Sequence, residues 1–340
     1  GTVNTAIGYE ALEENTTGAQ NVAIGAGAFD ASTASSNCVA IGHNALTNQT
    51  IANDNVAVGK DALKFNTTGA LNTAIGKDSL EQNTTASNNT AVGVGSLQAN
   101  TTGDHNVAVG TNSLDANTTG AANSAVGSFS LSDNTTGSEN VAFGTSSLAD
   151  NIDGSSNTAV GRYALFSNTT ADNNTAVGRS ALLSNTSGAS NVALGGLALD
   201  ANTTGTNNAA VGYDCLGQNT TGSDNTSFGT STGTSVTTGS DNTLIGRASG
   251  FNLTTGSNNL LLGHNAGRST SPSGELTTES NQVCIGDNNI TNAFIKVAFT
   301  VTSDKRDKIE DGVVSHGLDF VNKLKPKSFW FRKNRESEEK

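Results

Sequence analysis

The sequence predicts an all-β protein: a parallel β-solenoid (β-roll) of about 17 coils, assembled as a homotrimeric rod, with a short α+β C-terminal piece. Three observations predict it. A glycine recurs every 17 residues from Gly8 to Gly263, and once more at Gly286. The repeated unit is built from turn formers and short β-branched segments. It also carries more apolar columns than a thin coil can enclose.

The unit reads N-x-A-[IV]-G-x-x-[AS]-L-x-x-N-T-T-G-x-x, and Asn holds the first place in 15 of 17 copies, Cys38 and Gln282 being the exceptions. Such strict spacing makes each unit one layer stacked on the last. The interval before Gly286 is 23 residues, and the extra ones fall around "GRSTSPSGELTTES", a loop inserted into one coil that contains Pro272. A helix pair needs about 33 residues or more, and Asn, Gly and Thr are poor in helices. "NTAIG" and "NVAVG" read instead as short strands ended by glycine. "SLxxN" supplies a second strand or a corner. "NTTG" (Asn66–Gly69, Asn100–Gly103, Asn117–Gly120) reads as a turn, with Asn and Gly tolerating left-handed backbone and Thr bonding nearby backbone groups. Coils stacked ~4.8 Å apart give a rod of roughly 80 Å.

The Ala place (Ala6, Ala23, Ala40 and onward) and the Ile/Val place (Ile7, Ile24, Ile41 and onward) lie on opposite sides of one strand, since neighbouring residues point to opposite faces. Leu12, Leu46, Leu63 and their equivalents, with Phe29, make a third apolar column. A coil this thin cannot bury all three, and a large exposed apolar stripe marks association. Cyclic symmetry provides a partner most simply, so a parallel homotrimer with its axis along the solenoid is expected.

The "NTAIG…AL…NTTG" unit resembles the head repeats of trimeric autotransporter adhesins, which are parallel β-rolls assembled as trimers. It is more closely similar to the tandem NTAVG-type repeats of phage tail fibres. The likeness covers residues 1–286 and implies a trimeric fibre.

After Gly286 the period stops. "NNITNAFIKVAFTVT" alternates apolar and polar residues, so 287–302 is expected to be an irregular, strand-rich trimer plug using Ile290, Phe294, Ile295, Val297, Phe299 and Val301. Ser303-Asp304 then precedes Lys305, Arg306 and Lys308. A serine hydroxyl needs a base to become a nucleophile, and Ser-Lys pairs are one attested arrangement. Spacing alone favours a solvated charge cluster at a domain boundary. However, Ser303-Asp304, Arg306, Lys308, Gly317-Leu318, Lys323-Leu324, Pro326 and Phe329 resemble the start of the self-cleaving intramolecular chaperone of phage tailspikes and endosialidases. The resemblance implies that 303–340 begins such a module, truncated, which guides trimerisation and cuts before its first serine. It implies Ser303 as nucleophile, Lys308 as its base and Thr302–Ser303 as the cut bond. The family's apolar place eight residues after the serine is Asp311 here, with Ile309 close by. "GLDFVNKLKP" reads as a short helix with Leu318, Val321 and Leu324 on one face, stopped by Pro326. "SFWFRK" reads as a strand whose Trp330 packs a small core.

Charge bounds the partners. The 340 residues carry a net charge of −12, yet 303–340 hold 10 of the 18 Lys and Arg and 8 of the 30 Asp and Glu, leaving 1–302 at 8 − 22 = −14. Such a surface repels phosphates, so neither nucleic acid nor anionic lipid is an expected partner. No run of ~18 apolar residues exists to insert into a membrane, and no basic segment followed by an apolar one opens the chain as a secretory signal. Cys38, Cys215 and Cys284 are far apart and read as small buried residues; His43, His105, His264 and His316 read as surface or turn residues. "GAGAF" lacks the strand–helix setting of a nucleotide loop, and the acids Asp30, Asp54, Asp150 and Asp200 complete no calcium-binding column. No cofactor, metal or turnover chemistry is expected beyond a single-event serine autopeptidase. The function expected is a structural tail fibre of a virion, involved in host attachment. Its partners would be two further copies of itself, a host surface receptor (a glycan or surface protein) and other virion tail proteins. A bacterial trimeric surface adhesin is one alternative. A monomeric solenoid whose Thr rows bind carbohydrate or ice is another.

Overall fold

The computed structural model describes residues 1–294. Gly1–Thr291 form one compact unit, and Asn292 opens a second. The first is a solenoid in which every coil contributes one three-residue strand, from β1 (Thr5–Ile7) and β2 (Val22–Ile24) through β8 (Ser124–Val126) and β9 (Val141–Phe143) to β17 (Val283–Ile285). Each strand pairs in parallel with the next at the same place in the repeat: Thr5 with Val22, Ala6 with Ala23, Ile7 with Ile24. The result is one 17-stranded sheet along the rod. There is no helix among the described residues.

The three-residue length follows from what flanks it. A glycine ends each strand, and an asparagine, buried from Asn21 to Asn259, precedes all but the two that follow Cys38 and Gln282. At Gly127 the backbone turns out with φ of 137°, and a Cβ there would lie 2.6 Å from the carbonyl carbon of Gly144 in the next coil. Only glycine lets successive coils approach so closely at the strand end.

The "SLxxN" segment forms a corner, not a second strand. Its leucines take left-handed backbone: φ is 50° at Leu63 and 56° at Leu114. A left-handed leucine costs roughly 1–2 kcal/mol, which the ~1.5–3 kcal/mol from burying its side chain offsets. The conformation aims each leucine into the coil, where Leu46 through Leu216 are completely buried. "NTTG" differs from expectation. Neither Asn66 nor Gly69 has positive φ; the left-handed place is Leu71, just before the next repeat's first asparagine, with φ of 61°. The asparagine is there for its side chain.

Two asparagine ladders line the interior beside the Ala and Leu columns. In the NTTG column, Asn134 Nδ2 donates to Asn117 Oδ1 one coil back (2.8 Å) and to Gly137 O (3.0 Å). Asn151 Nδ2 donates in turn to Asn134 Oδ1 at 2.8 Å. The same link runs unbroken from Asn66 to Asn219. In the column before the strands, the side-chain oxygen accepts the next coil's backbone N–H (Asn123 N to Asn106 Oδ1, 2.9 Å), and the amide nitrogen donates to a turn carbonyl (Asn106 Nδ2 to Gly120 O, 2.8 Å). Buried amides bonded this way avoid the ~1–3 kcal/mol that an unpaired polar group costs. Backbone bonds outside the sheet complete the stacking, as from Leu114 N to Ser130 O and from Thr118 N to Thr135 O.

Near the C-terminal end three columns change together. The Leu column becomes Gly233 and Gly250, the Ala column becomes Leu244 and Leu261, and the NTTG-Asn column becomes Val236 and Leu253. The volume given up at one column is filled from the other two: a Cβ on Gly233 would lie 2.7 Å from Leu244 and 3.5 Å from Val236. Close packing allows nothing else. The ladder therefore stops, and Asn219 Oδ1, facing Val236, is buried without a partner. The inserted loop leaves the coil at Gly267 and returns through Leu276 N to Gly267 O at 2.8 Å, so that Leu276 resumes the column.

Candidate assembly surface

Within each repeat the first asparagine and the alanine point inward, so the residues before, between and after them point outward. The alanines from Ala23 to Ala210 are fully buried. The third strand residues, on the other face, are exposed by 37% at Ile41, 41% at Ile75, 43% at Phe143 and 52% at Phe228. The first strand residues are mostly Val or Thr (Val56, Thr73, Thr90, Val107) and are half-buried or exposed. The coil thus encloses the Ala and Leu columns and leaves the Ile/Val column outside. This apolar stripe runs the length of the sheet on β1–β17.

Charged columns border it, and sequence reasoning missed them. The place before the first asparagine holds Asp54, His105, Glu139, Asp224 and Asp241, with no lysine or arginine. The place after the strand glycine holds Lys60, Lys77, Arg162, Arg179 and Arg247. All these residues are exposed. Aligning the repeats and reading charge down each column would have revealed them. Lys60 and Lys77 also meet neighbouring carboxylates, Asp61 at 3.1 Å and Asp78 at 3.0 Å. The Arg162 guanidinium lies 4.5 Å from the Tyr163 ring centre and donates to Tyr163 Oη at 3.0 Å.

Away from the sheet the surface offers less. Tyr163 and Phe166 meet edge to face at 5.6 Å and, with Ser167, Leu183 and Ser184, line an open depression of about 450 Å³. The first threonine of NTTG is used internally, as Thr118 Oγ1 donates to Thr135 O at 3.0 Å; the second, such as Thr119, is exposed. The three cysteines are free and buried, and burial pushes the Cys215 thiol up to about 11. His43, His105 and His264 are exposed, and His264 Nδ1 lies 3.3 Å from Asp287 Oδ2. Among the described residues no group of three or more His, Cys, Asp and Glu is placed to hold a metal. No described helix is long and apolar enough to cross a membrane.

Of the expected plug, 287–294 are described. They hold a turn at Asn288-Asn289, capped by the Asp287 carboxylate, which accepts from Asn289 N at 3.0 Å. Ser303 and Lys308, His316, Trp330 and the rest of 295–340 lie outside the described residues.

Stacking in register brings like charges together. Asp150 sits one coil above Asp133, and its carboxyl is raised above the usual range, first by burial and then by Asp133. A raised carboxyl weakens the fold where both groups are ionised, and the effect fades as pH falls through its titration. Asp133→Asn is therefore expected to raise stability by about 0.3 kcal/mol at pH 7, a value discounted for solvent screening. The gain should vanish near pH 3; thermal midpoints of variant and parent across that range check it.

A scan of the chain against family models finds no match, and a search of curated proteins finds none either. The arrangement defines a class on physical grounds only: a β-solenoid with a sealed polar-and-apolar interior and one uncovered apolar sheet face.

Proposed function

We propose that this chain is a structural segment of a viral tail fibre or appendage that attaches a virion to its host, working as a parallel homotrimer. The observation that carries the reading is the apolar stripe on the outer face of the sheet, continuous along a rod whose Ala and Leu columns are enclosed. Three copies around a common axis cover three such stripes at once. The resemblance of 303–340 to a self-releasing chaperone supports the same reading, with Ser303 as nucleophile, Lys308 as base and Thr302–Ser303 as the bond cut. A threonine array for sugar or ice is the weaker reading, because half of its hydroxyls donate to the next coil.

Sedimentation equilibrium with intact-mass measurement tests the proposal. A trimer is expected, and in protein carrying the whole C-terminal module, a released piece that Ser303→Ala abolishes. A monomer at every concentration would sink the fibre reading. The double change Val160→Glu with Val177→Glu, both on the outer face, is expected to turn the trimer into folded monomers. Unchanged circular dichroism with a threefold smaller mass is the outcome to look for.

A further inference from the structure

The apolar stripe cannot by itself align three chains. Its residues repeat every 17 positions, so sliding one copy by one coil buries nearly the same surface and loses only an end layer. What does not repeat is the charge on its two borders.

We propose that these borders set the axial register of the assembly: Asp54, Glu139, Asp224 and Asp241 of one copy pair with Lys60 or Lys77, Arg162 and Arg247 of the next. The inference rests on the trimeric reading above and adds to it which residues choose among the registers. Around a threefold axis each contact is head-to-tail, so one border of a sheet meets the opposite border of its neighbour. The borders carry opposite signs, Asp287 in the last coil being the one carboxylate in the cation column.

The levels also match. With the coils aligned, every one of the four carboxylates finds a cation in the same coil or the next. Asp54 is level with Lys60 and one coil from Lys77; Glu139 is one coil from Arg162; Asp224 is one coil from Arg247, and Asp241 is level with it. Sliding one copy by a single coil changes its two contacts in opposite directions. At one, Asp241 then has no cation at those levels; at the other, Glu139 and Asp224 have none. The slide that costs the stripe least is the one the charges penalise. The Lys60 and Lys77 amines are themselves exposed, and Asp61 keeps Lys64 as a second partner at 3.3 Å, so the amines can exchange partners at little cost.

Carbodiimide coupling, which joins a carboxylate to a lysine amine in contact, reads the pairing directly. Trimers are assembled from equal amounts of ordinary and ¹⁵N-labelled protein, coupled, digested and weighed. Within one chain Asp54 and Lys60 stand at opposite borders, six residues or roughly 20 Å apart, so a mixed-isotope Asp54–Lys60 or Asp54–Lys77 link reports the neighbour. That link is expected, as is one from Glu139 to the amine that an Arg162→Lys variant introduces. Both should fall severalfold in about 1 M salt as screening sets in. Changing all four carboxylates to lysine should leave trimers with scattered registers; changing Lys60, Lys77, Arg162 and Arg247 to glutamate in the same chain should restore a single one. Trimers that lack these links, or that keep one register after the fourfold reversal, would overturn the register assignment and leave the trimer standing. Monomers throughout would remove both.

Discussion

Gly127→Ala is expected to unstack the solenoid around β8 and β9 and to lower the unfolding midpoint more than a methyl group placed anywhere on the outer face. Two independent penalties coincide. The backbone at Gly127 has φ of 137°, a region that side chains disfavour strongly. The added carbon would also sit 2.6 Å from both the carbonyl carbon and oxygen of Gly144. Those atoms are backbone and cannot rotate away, so the two coils must separate, stretching the bond from Gly144 N to Val126 O, now 2.8 Å. Together the two effects are expected to cost on the order of 3–5 kcal/mol. Denaturant titration gives the magnitude, and hydrogen exchange shows whether protection is lost in the neighbouring coils first. Equal stability of the variant and parent would mean the coils are not as close as described.

Asn134→Leu should be nearly as damaging, by a different route. It strips the amide donor from Asn117 Oδ1 and Gly137 O, and the acceptor from Asn151 Nδ2. Three buried polar atoms lose this partner at once, at about 1–3 kcal/mol each where nothing replaces it. The larger side chain must also fit beside Leu131, which is already fully buried. The matching change Asn219→Leu should cost less, by one polar atom: it too strips the donor from Asn202 Oδ1 and Gly222 O, but no amide of the next coil depends on it. Its oxygen is unpartnered already, and its neighbour one coil on is Val236. The difference between the two midpoints reads the one forward link, from Asn151 Nδ2 to Asn134 Oδ1; equal losses would show that this link contributes nothing.

The period, the strand place and the uncovered apolar column were legible because each is a one-dimensional pattern. Glycine spacing gives the layer, and alternation in "NTAIG" places Ala and Ile on opposite faces. Two things were not legible. Turn rules assigned NTTG its asparagine and glycine as left-handed formers, whereas the left-handed places fall on the leucines, on the residue before the repeat and on the second residue after the strand glycine, such as Asp61 and Tyr163. Propensity scales rank leucine low there, and only burial of its side chain reverses the sign. Nor did the unit show that its asparagines are core residues. Asparagine is a surface residue on average, and it becomes an interior one here because the next coil always offers it the same partner. The charged borders were hidden for the opposite reason: they are what the consensus averages away. The pairing of Ser303 with Lys308 rests on a resemblance and lies outside the described residues.

The amide chain from Asn66 to Asn219 has a consequence for the rod as an electrical object. Every side-chain carboxamide in it points the same way, nitrogen toward the N-terminal coils and oxygen toward the C-terminal ones. Their dipoles add head to tail, and each polarises the next in a low-dielectric interior. The amide chain therefore has a sign: a faintly positive end where it starts, at Asn66 and the Gln49 oxygen it bonds, and a faintly negative one where Asn219 leaves its oxygen unanswered. Three such shafts bundled side by side in one direction would reinforce that vector, whereas an antiparallel bundle would cancel it.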